Sequence, residues 1–91
     1  MEKRVNVKIQ GLVQGVGFRM FIVREAAARN LSGWTRNMPD GSVKIEAQGH
    51  PGKVDELVNQ AKKGPSKSMV TSITIRETPP AEGIGGFRIL Y

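Results

Sequence analysis

The residues whose types and spacing could do chemistry are concentrated in a glycine-rich stretch, residues 11–19, with the sequence GLVQGVGFR. Its glycines allow the backbone to turn sharply and to approach a ligand closely. A helix that begins directly after it would present unpaired N–H groups and the positive end of its dipole to an anion. Arg19 adds a guanidinium that can hold a phosphate through two parallel hydrogen bonds. The stretch therefore predicts a small phosphate site, or, as the commoner alternative, only a tight connection.

The stretch does not match the standard nucleotide-binding loops. It lacks the Gly-Lys-Ser/Thr ending of a P-loop. It also departs from the dinucleotide pattern Gly-x-Gly-x-x-Gly, because Met20 stands where the last glycine would follow Gly15 and Gly17. The prediction is therefore limited to a phosphate group.

Length and composition restrict the class of protein. A chain of 91 residues is expected to form one domain, residues 1–91, and its 38% hydrophobic and 24% charged content is ordinary for a globular protein. The absence of cysteine excludes disulfides, thiolate chemistry and cysteine-based zinc sites. Charges at Glu2, Lys3 and Arg4 interrupt any signal-like run, so a cytoplasmic protein with no membrane partner is expected. The net charge of +6 favours anionic partners, although its dispersal is more typical of a solvated surface.

Hydrophobic periodicity predicts the elements that position the glycine-rich loop. Val5, Val7 and Ile9 alternate with polar residues, which is typical of a half-buried strand. Helical spacing follows the loop, and two further strands meet at the turn signal Pro39-Asp40-Gly41. The predicted elements are strand 4–11, helix 18–30, hairpin strands 33–38 and 42–48, a helix that ends at Gly64-Pro65, strand 69–75, a mobile loop 79–86 and a short edge strand 87–91.

The order βαββαβ with a possible short fifth strand indicates an α+β fold. Two helices packed on one face of a mostly antiparallel sheet would hide the apolar side of alternating strands, which is the ferredoxin-like sandwich. A right-handed crossover makes the first two strands parallel, so their carboxyl ends lie at one edge of the domain. We therefore expect Arg19 and Asn37 to converge there. A structural role of Asn37 beside the turn explains that residue at least as well.

Two motifs together resemble those of the acylphosphatase family. The first is IQGLVQGVGFR over residues 9–19, and the second is GWTRN over residues 33–37, followed by DGSV at 40–43 and by Gly49. Both occur in the order and spacing of the family, and the resemblance extends over essentially the whole chain. Thr35 departs from the pattern, since the family usually carries Ala, Val or Cys there, and this bears only on the tuning of the site.

The resemblance implies an enzyme that hydrolyses the carboxyl-phosphate bond of small acyl phosphates to a carboxylate and inorganic phosphate, without a metal or a cofactor. Arg19 would bind the phosphate group, and Asn37 would position the attacking water. The backbone amides that would complete the phosphate cradle are those of Gly15, Val16, Gly17, Phe18 and Arg19. Gln14 would mainly shape that cradle.

The chemistry of the bond agrees with such a site. An acyl phosphate releases a carboxylate, whose conjugate acid has a pKa of roughly 4 to 5, so the leaving group departs without a proton. The phosphoryl group needs positioning and charge stabilisation, which hydrogen-bond donors supply. Asn37 cannot act as a base at neutral pH, because its amide offers only a carbonyl and an NH2 group. We therefore expect a phosphate oxygen of the substrate to take the proton of the water.

An RNA-recognition module has the same fold and would fit a basic protein. Such a module places aromatic residues on the exposed face of its central strands. The corresponding positions here are Asn6, Lys8, Lys44 and Glu46. None is aromatic, so no nucleic-acid partner is expected. Trp34 and Phe87 are expected to pack rather than to stack on a base.

A phosphate-binding domain without turnover also remains open. It would keep the glycine-rich cradle but would not need Asn37. The lone histidine, His50, has no apparent orienting partner and is not expected to act in catalysis. Nothing in the sequence demands a dimer, so a monomer is expected. The terminal Tyr91 could bring its carboxylate near the basic site, although no pattern supports this.

Overall fold

Seven helices and strands follow one another in the computed structural model, which describes residues 1–83 and 85–91. In chain order they are β1 (Lys3–Leu12), α1 (Phe18–Ala27), β2 (Ser32–Asn37), β3 (Val43–Gly49), α2 (Pro51–Lys63), β4 (Met69–Thr78) and β5 (Phe87–Leu90). The predicted order βαββαβ and the short fifth strand are confirmed. The helices pack on the sheet and on each other, which is the ferredoxin-like α+β fold.

The strands form one sheet in the order β4-β1-β3-β2-β5. Neighbouring strands are antiparallel except for β5, which pairs parallel to β2. Because β1 and β2 are both antiparallel to β3, they run parallel to each other, as the right-handed crossover predicts. The carboxyl ends of β1, β2 and β5 therefore lie at the same edge of the sheet, which is called the site edge below.

The apolar core lies between the helices and one face of the sheet. Alternate residues of β1 and β3 point into it, and each is at most 1% exposed. The cross-strand pairs are Val5 with Ala47, Val7 with Ile45 and Ile9 with Val43. Burying each valine or isoleucine side chain stabilises the fold by about 1.5–3 kcal/mol. A register slip by one residue would turn these side chains to solvent, so the core also fixes the positions of the strand ends at the site edge.

The two helices differ in how closely they follow the prediction. α2 buries the four residues that its spacing predicts, Val54, Leu57, Val58 and Ala61, and ends before Gly64. α1 ends at Ala27 rather than at Asn30, because Asn30 adopts a left-handed conformation (φ +55°) that asparagine tolerates. Within the described ranges, no helix combines the length and the apolar character needed to cross a membrane.

The loop between β4 and β5 is held to the sheet near its start. The side chain of Gln48, 4% exposed, donates a hydrogen bond to the carbonyl of Ala81 (2.7 Å) and accepts one from its N–H (2.8 Å). The predicted mobile loop 79–86 is therefore tied down at Ala81. Ile84, which the prediction also includes, lies outside the described residues.

The two aromatic residues expected to pack behave differently. Phe87 packs against the core, as predicted. Trp34 pairs across the strands with Glu46 on the face away from the helices, where its side chain is half-buried. Its neighbours Gly33 and Thr35 are buried on the helical side, and alternation along β2 then directs Trp34 to the other face.

Candidate active site

The loop between β1 and α1 turns through two glycines in the left-handed region. Gly15 has φ +73°, and Gly17, the N-cap of α1, has φ +78°. A Cβ atom added at either position would meet no atom within 4 Å. The glycines are therefore required by the backbone torsion and not by crowding, because side chains disfavour this conformation by roughly 1–2 kcal/mol.

The backbone amides of residues 15–19 all remain available to a ligand. No side chain caps α1, and none of these five N–H groups donates a hydrogen bond to any residue that the structure describes. The first turn of a helix has no intrahelical partners for its amides, and its dipole places partial positive charge there. The loop thus offers an uncompensated set of donors to an anion.

A cavity of about 210 Å³ opens at the site edge beside this loop. Its lining includes Gly15, Gly17, Phe18, Arg19 and Asn37, so the structure brings these sequence-predicted residues together as expected. Val16 is the exception, since it does not line the cavity and its side chain packs against the core. Only its amide remains as a candidate contact.

Asn37 stands out among the polar residues of the cavity. Its Oδ1 atom is buried and has no hydrogen-bond partner among the described residues, and it is the one buried side-chain atom there in that condition. A buried acceptor without a partner costs roughly 1–3 kcal/mol. An atom of this kind in a residue that lines a cavity indicates a function that requires it.

Tyr91 was not predicted to line the site by any pattern in the sequence. Its ring packs on Arg19, with the guanidinium carbon 5.2 Å from the ring centroid, and it lines the cavity together with Ile89 and Met20. The position follows from the parallel pairing of β5 with β2, which carries the end of the chain to the site edge. The ring supports the guanidinium through a cation–π contact.

Gln14 connects the glycine-rich loop with the turn between β2 and β3. Its side-chain NH2 group donates to the carbonyl oxygens of Met38 (2.8 Å) and Ser42 (2.9 Å), which flank the turn between β2 and β3. The sequence alone assigned it only a part in shaping the loop. These two bonds fix the loop that leads into α1 and Arg19 relative to the strand end that carries Asn37.

Replacing Gln14 by leucine is expected to lower the free energy of unfolding by roughly 1–2 kcal/mol, since two hydrogen bonds are lost. Activity on an acyl phosphate should fall by about tenfold, because small displacements of catalytic groups slow reactions strongly. Chemical denaturation and steady-state kinetics measure the two effects. Gln10→Leu, at an exposed position of β1, is the matched control and should change neither. Unchanged activity in Gln14→Leu would contradict the proposal that Gln14 fixes the loop relative to the turn.

The turn between β2 and β3 is organised by Asp40. Its Oδ1 accepts hydrogen bonds from the hydroxyl (2.6 Å) and the N–H (3.0 Å) of Ser42, and its Oδ2 lies 3.0 Å from the ammonium of Lys8. The hydrogen bonds from Ser42, and then the charge of Lys8, hold the pKa of the Asp40 carboxyl well below its usual range.

Because the folded state lowers the pKa of Asp40, its stabilising effect is present above the pKa of the unfolded chain, about 3.9, and is lost as the pH falls through the folded value. Asp40→Asn is therefore expected to have a lower Tm than the wild type at pH 7. The difference should shrink steadily below about pH 4. Thermal unfolding between pH 2 and 8 tests this, and a pH-independent difference would show that the charge is not responsible.

The remaining candidate residues have structural roles. His50 caps α2, since its Nδ1 accepts a hydrogen bond from the N–H of Gly52 (3.1 Å). Thr35 is fully buried, and its hydroxyl donates to the carbonyl of Lys44 (3.1 Å), so its polar atom is satisfied. In the part of the chain that the structure describes, no three His, Asp or Glu side chains group closely enough to hold a metal ion.

Comparison with known proteins places this chain in a family. The acylphosphatase family model matches residues 5–89. The chain belongs to the acylphosphatase family. It is 61% identical to an acylphosphatase of Chlorobaculum tepidum, over 98% of this chain and 97% of that protein. An acylphosphatase of Thermotoga maritima is 40% identical over 98% of each chain. The crystal structure of acylphosphatase from Bacillus subtilis superposes with a TM-score of 0.94 at 40% identity, and each chain is covered completely.

Proposed function

We infer that this acylphosphatase hydrolyses the carboxyl-phosphate bond of acyl phosphates in the 210 Å³ cavity at the site edge, with Arg19 and Asn37 as its catalytic residues. The observation that carries the proposal is the convergence of Arg19, the loop with free amides and Asn37 at one cavity, together with the lack of a partner for Oδ1 of Asn37 among the described residues.

The phosphoryl group of the substrate binds to the donors of the loop. The amides of Gly15, Val16, Gly17, Phe18 and Arg19, which have no partner among the described residues, donate hydrogen bonds to it as a cradle. The guanidinium of Arg19, supported by the ring of Tyr91, holds two of its oxygens. These fixed donors stabilise the charge of the phosphoryl group during transfer without any rearrangement.

Asn37 positions the attacking water through its free acceptor. A rotation of the amide brings Oδ1 towards the cavity, where it accepts a hydrogen bond from the water. The water oxygen forms a bond to phosphorus opposite the acyl oxygen, and the phosphorus–acyl oxygen bond breaks with its electron pair on the departing carboxylate. A phosphate oxygen takes the proton from the water, so the products are a carboxylate and inorganic phosphate.

Arg19 and Asn37, which the proposed chemistry uses, both line one cavity of this chain. We propose a monomeric enzyme and, separately, a cytoplasmic location. Light scattering on the purified protein tests the first proposal, and fractionation of cells tests the second. A dimer whose formation changes the catalytic rate would contradict the monomeric site.

Release of phosphate from a simple acyl phosphate such as benzoyl phosphate, with EDTA present, tests the activity itself. Metal-independent turnover well above the rate without enzyme is expected. Turnover that EDTA abolishes would overturn the proposed chemistry, because donors of the protein alone would then be insufficient. A wild-type protein that binds phosphate without turnover would be a phosphate-binding domain instead.

A further inference from the structure

The sheet face opposite the helices, called the open face here, carries cations on all five strands. They are Arg76 on β4, Arg4 and Lys8 on β1, Lys44 on β3, Arg36 on β2 and Arg88 on β5. A single carboxylate, Glu46, shares these strands on this face, while Asp40 lies at its rim and Glu2 contacts Gln48 of β3. Basic residues that are dispersed along the sequence therefore lie together on the open face.

Most of this charge is not neutralised within the protein. Arg4 pairs with Glu46, and Lys8 pairs with Asp40. The remaining four cations have no carboxylate within 4.0 Å among the described residues. They are Arg36, Lys44, Arg76 and Arg88. An open face with such an excess suits an anion with several charges.

Three cations lie directly side by side on neighbouring strands. Lys44 is the cross-strand partner of Lys8 on one side and of Arg36 on the other. Like charges opposite each other destabilise a sheet. The row extends over two strand spacings, about 10 Å, which exceeds the size of one phosphate and matches a chain of phosphates. A bound polyanion would remove the repulsion along this row.

An aromatic side chain lies next to the row. Trp34 is half-buried on the open face and is the cross-strand partner of Arg88. The two residues line a depression of about 360 Å³ together with Arg4 and Leu90. A second depression of about 470 Å³, lined by Lys8, Lys44 and Arg76 among others, lies towards β4. Lysines and arginines around a tryptophan whose side chain is partly accessible are the combination that binds phosphates and stacks on a base.

We propose that the open face binds single-stranded nucleic acid, with phosphates on Lys44 and its neighbours and a base stacked on Trp34. No residue that lines the two depressions lines the catalytic cavity, so both ligands can bind at once. The proposal revises the expectation from the sequence, which excluded nucleic acid because the central strands lack aromatics. The aromatic residue lies one strand further, on β2.

Binding of a fluorescent ten-nucleotide oligouridylate, measured by anisotropy, tests the proposal. Micromolar affinity at about 50 mM salt is expected. The slope of log K against log salt should be about −3, which corresponds to roughly four phosphate contacts. An abasic oligonucleotide of the same length should bind about tenfold more weakly, because it keeps the phosphates but offers no base for stacking. Equal binding of the abasic chain, of heparin or of duplex RNA would overturn the proposal in favour of unspecific charge attraction.

Variants separate stacking from charge. Trp34→Ala should lose about tenfold in affinity and bind oligouridylate and the abasic chain equally, whereas Trp34→Phe should retain most of the difference. Lys44→Gln with Arg76→Gln should weaken binding and reduce the magnitude of the salt slope by about 1.4. The matched control, Lys62→Gln with Lys63→Gln at the end of α2, removes the same charge from the helical side and should change affinity little. An equal loss in that control would contradict a site on the open face.

Discussion

Replacing Arg19 by alanine is expected to lower kcat/KM for an acyl phosphate by about 10³-fold, because the variant lacks the guanidinium that Arg19 contributes to the cavity lining. Both kcat and KM should change, since the arginine binds the phosphate in the ground state and stabilises its charge during transfer. Inorganic phosphate should correspondingly inhibit the variant much more weakly than the wild type. Steady-state kinetics with phosphate as a competitive inhibitor measure kcat, KM and the inhibition constant of phosphate.

Arg19→Lys distinguishes the charge from its geometry. A lysine retains the charge but not the planar pair of donors, so its activity should lie between those of the wild type and Arg19→Ala. Arg24→Ala is the matched control, because Arg24 is exposed on the same helix and does not line the cavity. A comparable loss in Arg24→Ala would indicate that the general positive charge of α1, and not a specific contact, supports the activity.

The core and its topology could be predicted from the sequence because each element carries its own period. Val5, Val7 and Ile9 repeat every second residue, and Leu57 and Ala61 fall at helical spacing, so each pattern identifies both an element and its buried face. Topology follows from the same elements, because crossovers are right-handed and few arrangements hide all the apolar faces. The convergence of loop and strand end at one edge is a consequence of that topology.

Contacts between elements distant in the sequence could not be predicted in the same way. Tyr91 reaches Arg19 only because β5 pairs parallel to β2, and a four-residue strand carries too little pattern to fix its partner. Gln14 bonds to two carbonyl groups of the hairpin, and no periodicity identifies such a side-chain contact. The sequence pattern assigned no face to Trp34, whose direction is set by the alternation of β2 and not by its own hydrophobicity.

Asn37 illustrates how stability and function diverge at such a site. The sequence allowed two roles, a residue beside the turn or a catalytic group. A residue that merely supported the turn would have its polar atoms satisfied by the hairpin. The hydrogen bonds of the turn instead involve Met38, Asp40, Gly41 and Ser42, while Oδ1 of Asn37 has no partner among the described residues. The turn is therefore stable without it.

Replacing Asn37 by alanine is accordingly expected to lower kcat by about 10²–10³-fold while the protein becomes no less stable. Removing an acceptor that has no partner relieves a cost instead of losing a bond, so the free energy of unfolding should stay unchanged or rise. Inhibition by inorganic phosphate should persist, because Arg19 and the loop amides remain. A pure binding domain would show no kinetic change, and a turn residue would show a clear loss of stability.

Asn37→Asp then tests the chemical role of the amide. If Asn37 orients water as an acceptor and the substrate takes the proton, a carboxylate at this position brings negative charge towards the phosphoryl group and should slow the reaction. A faster enzyme whose rate rises through a carboxyl pKa would instead show that a base at this position helps, and orientation by the amide would be the wrong account. Asn59→Ala, at an exposed position of α2, controls for the loss of an asparagine as such. Together, the two substitutions at Asn37 separate a group that orients water from one that binds substrate, removes a proton or only supports the fold.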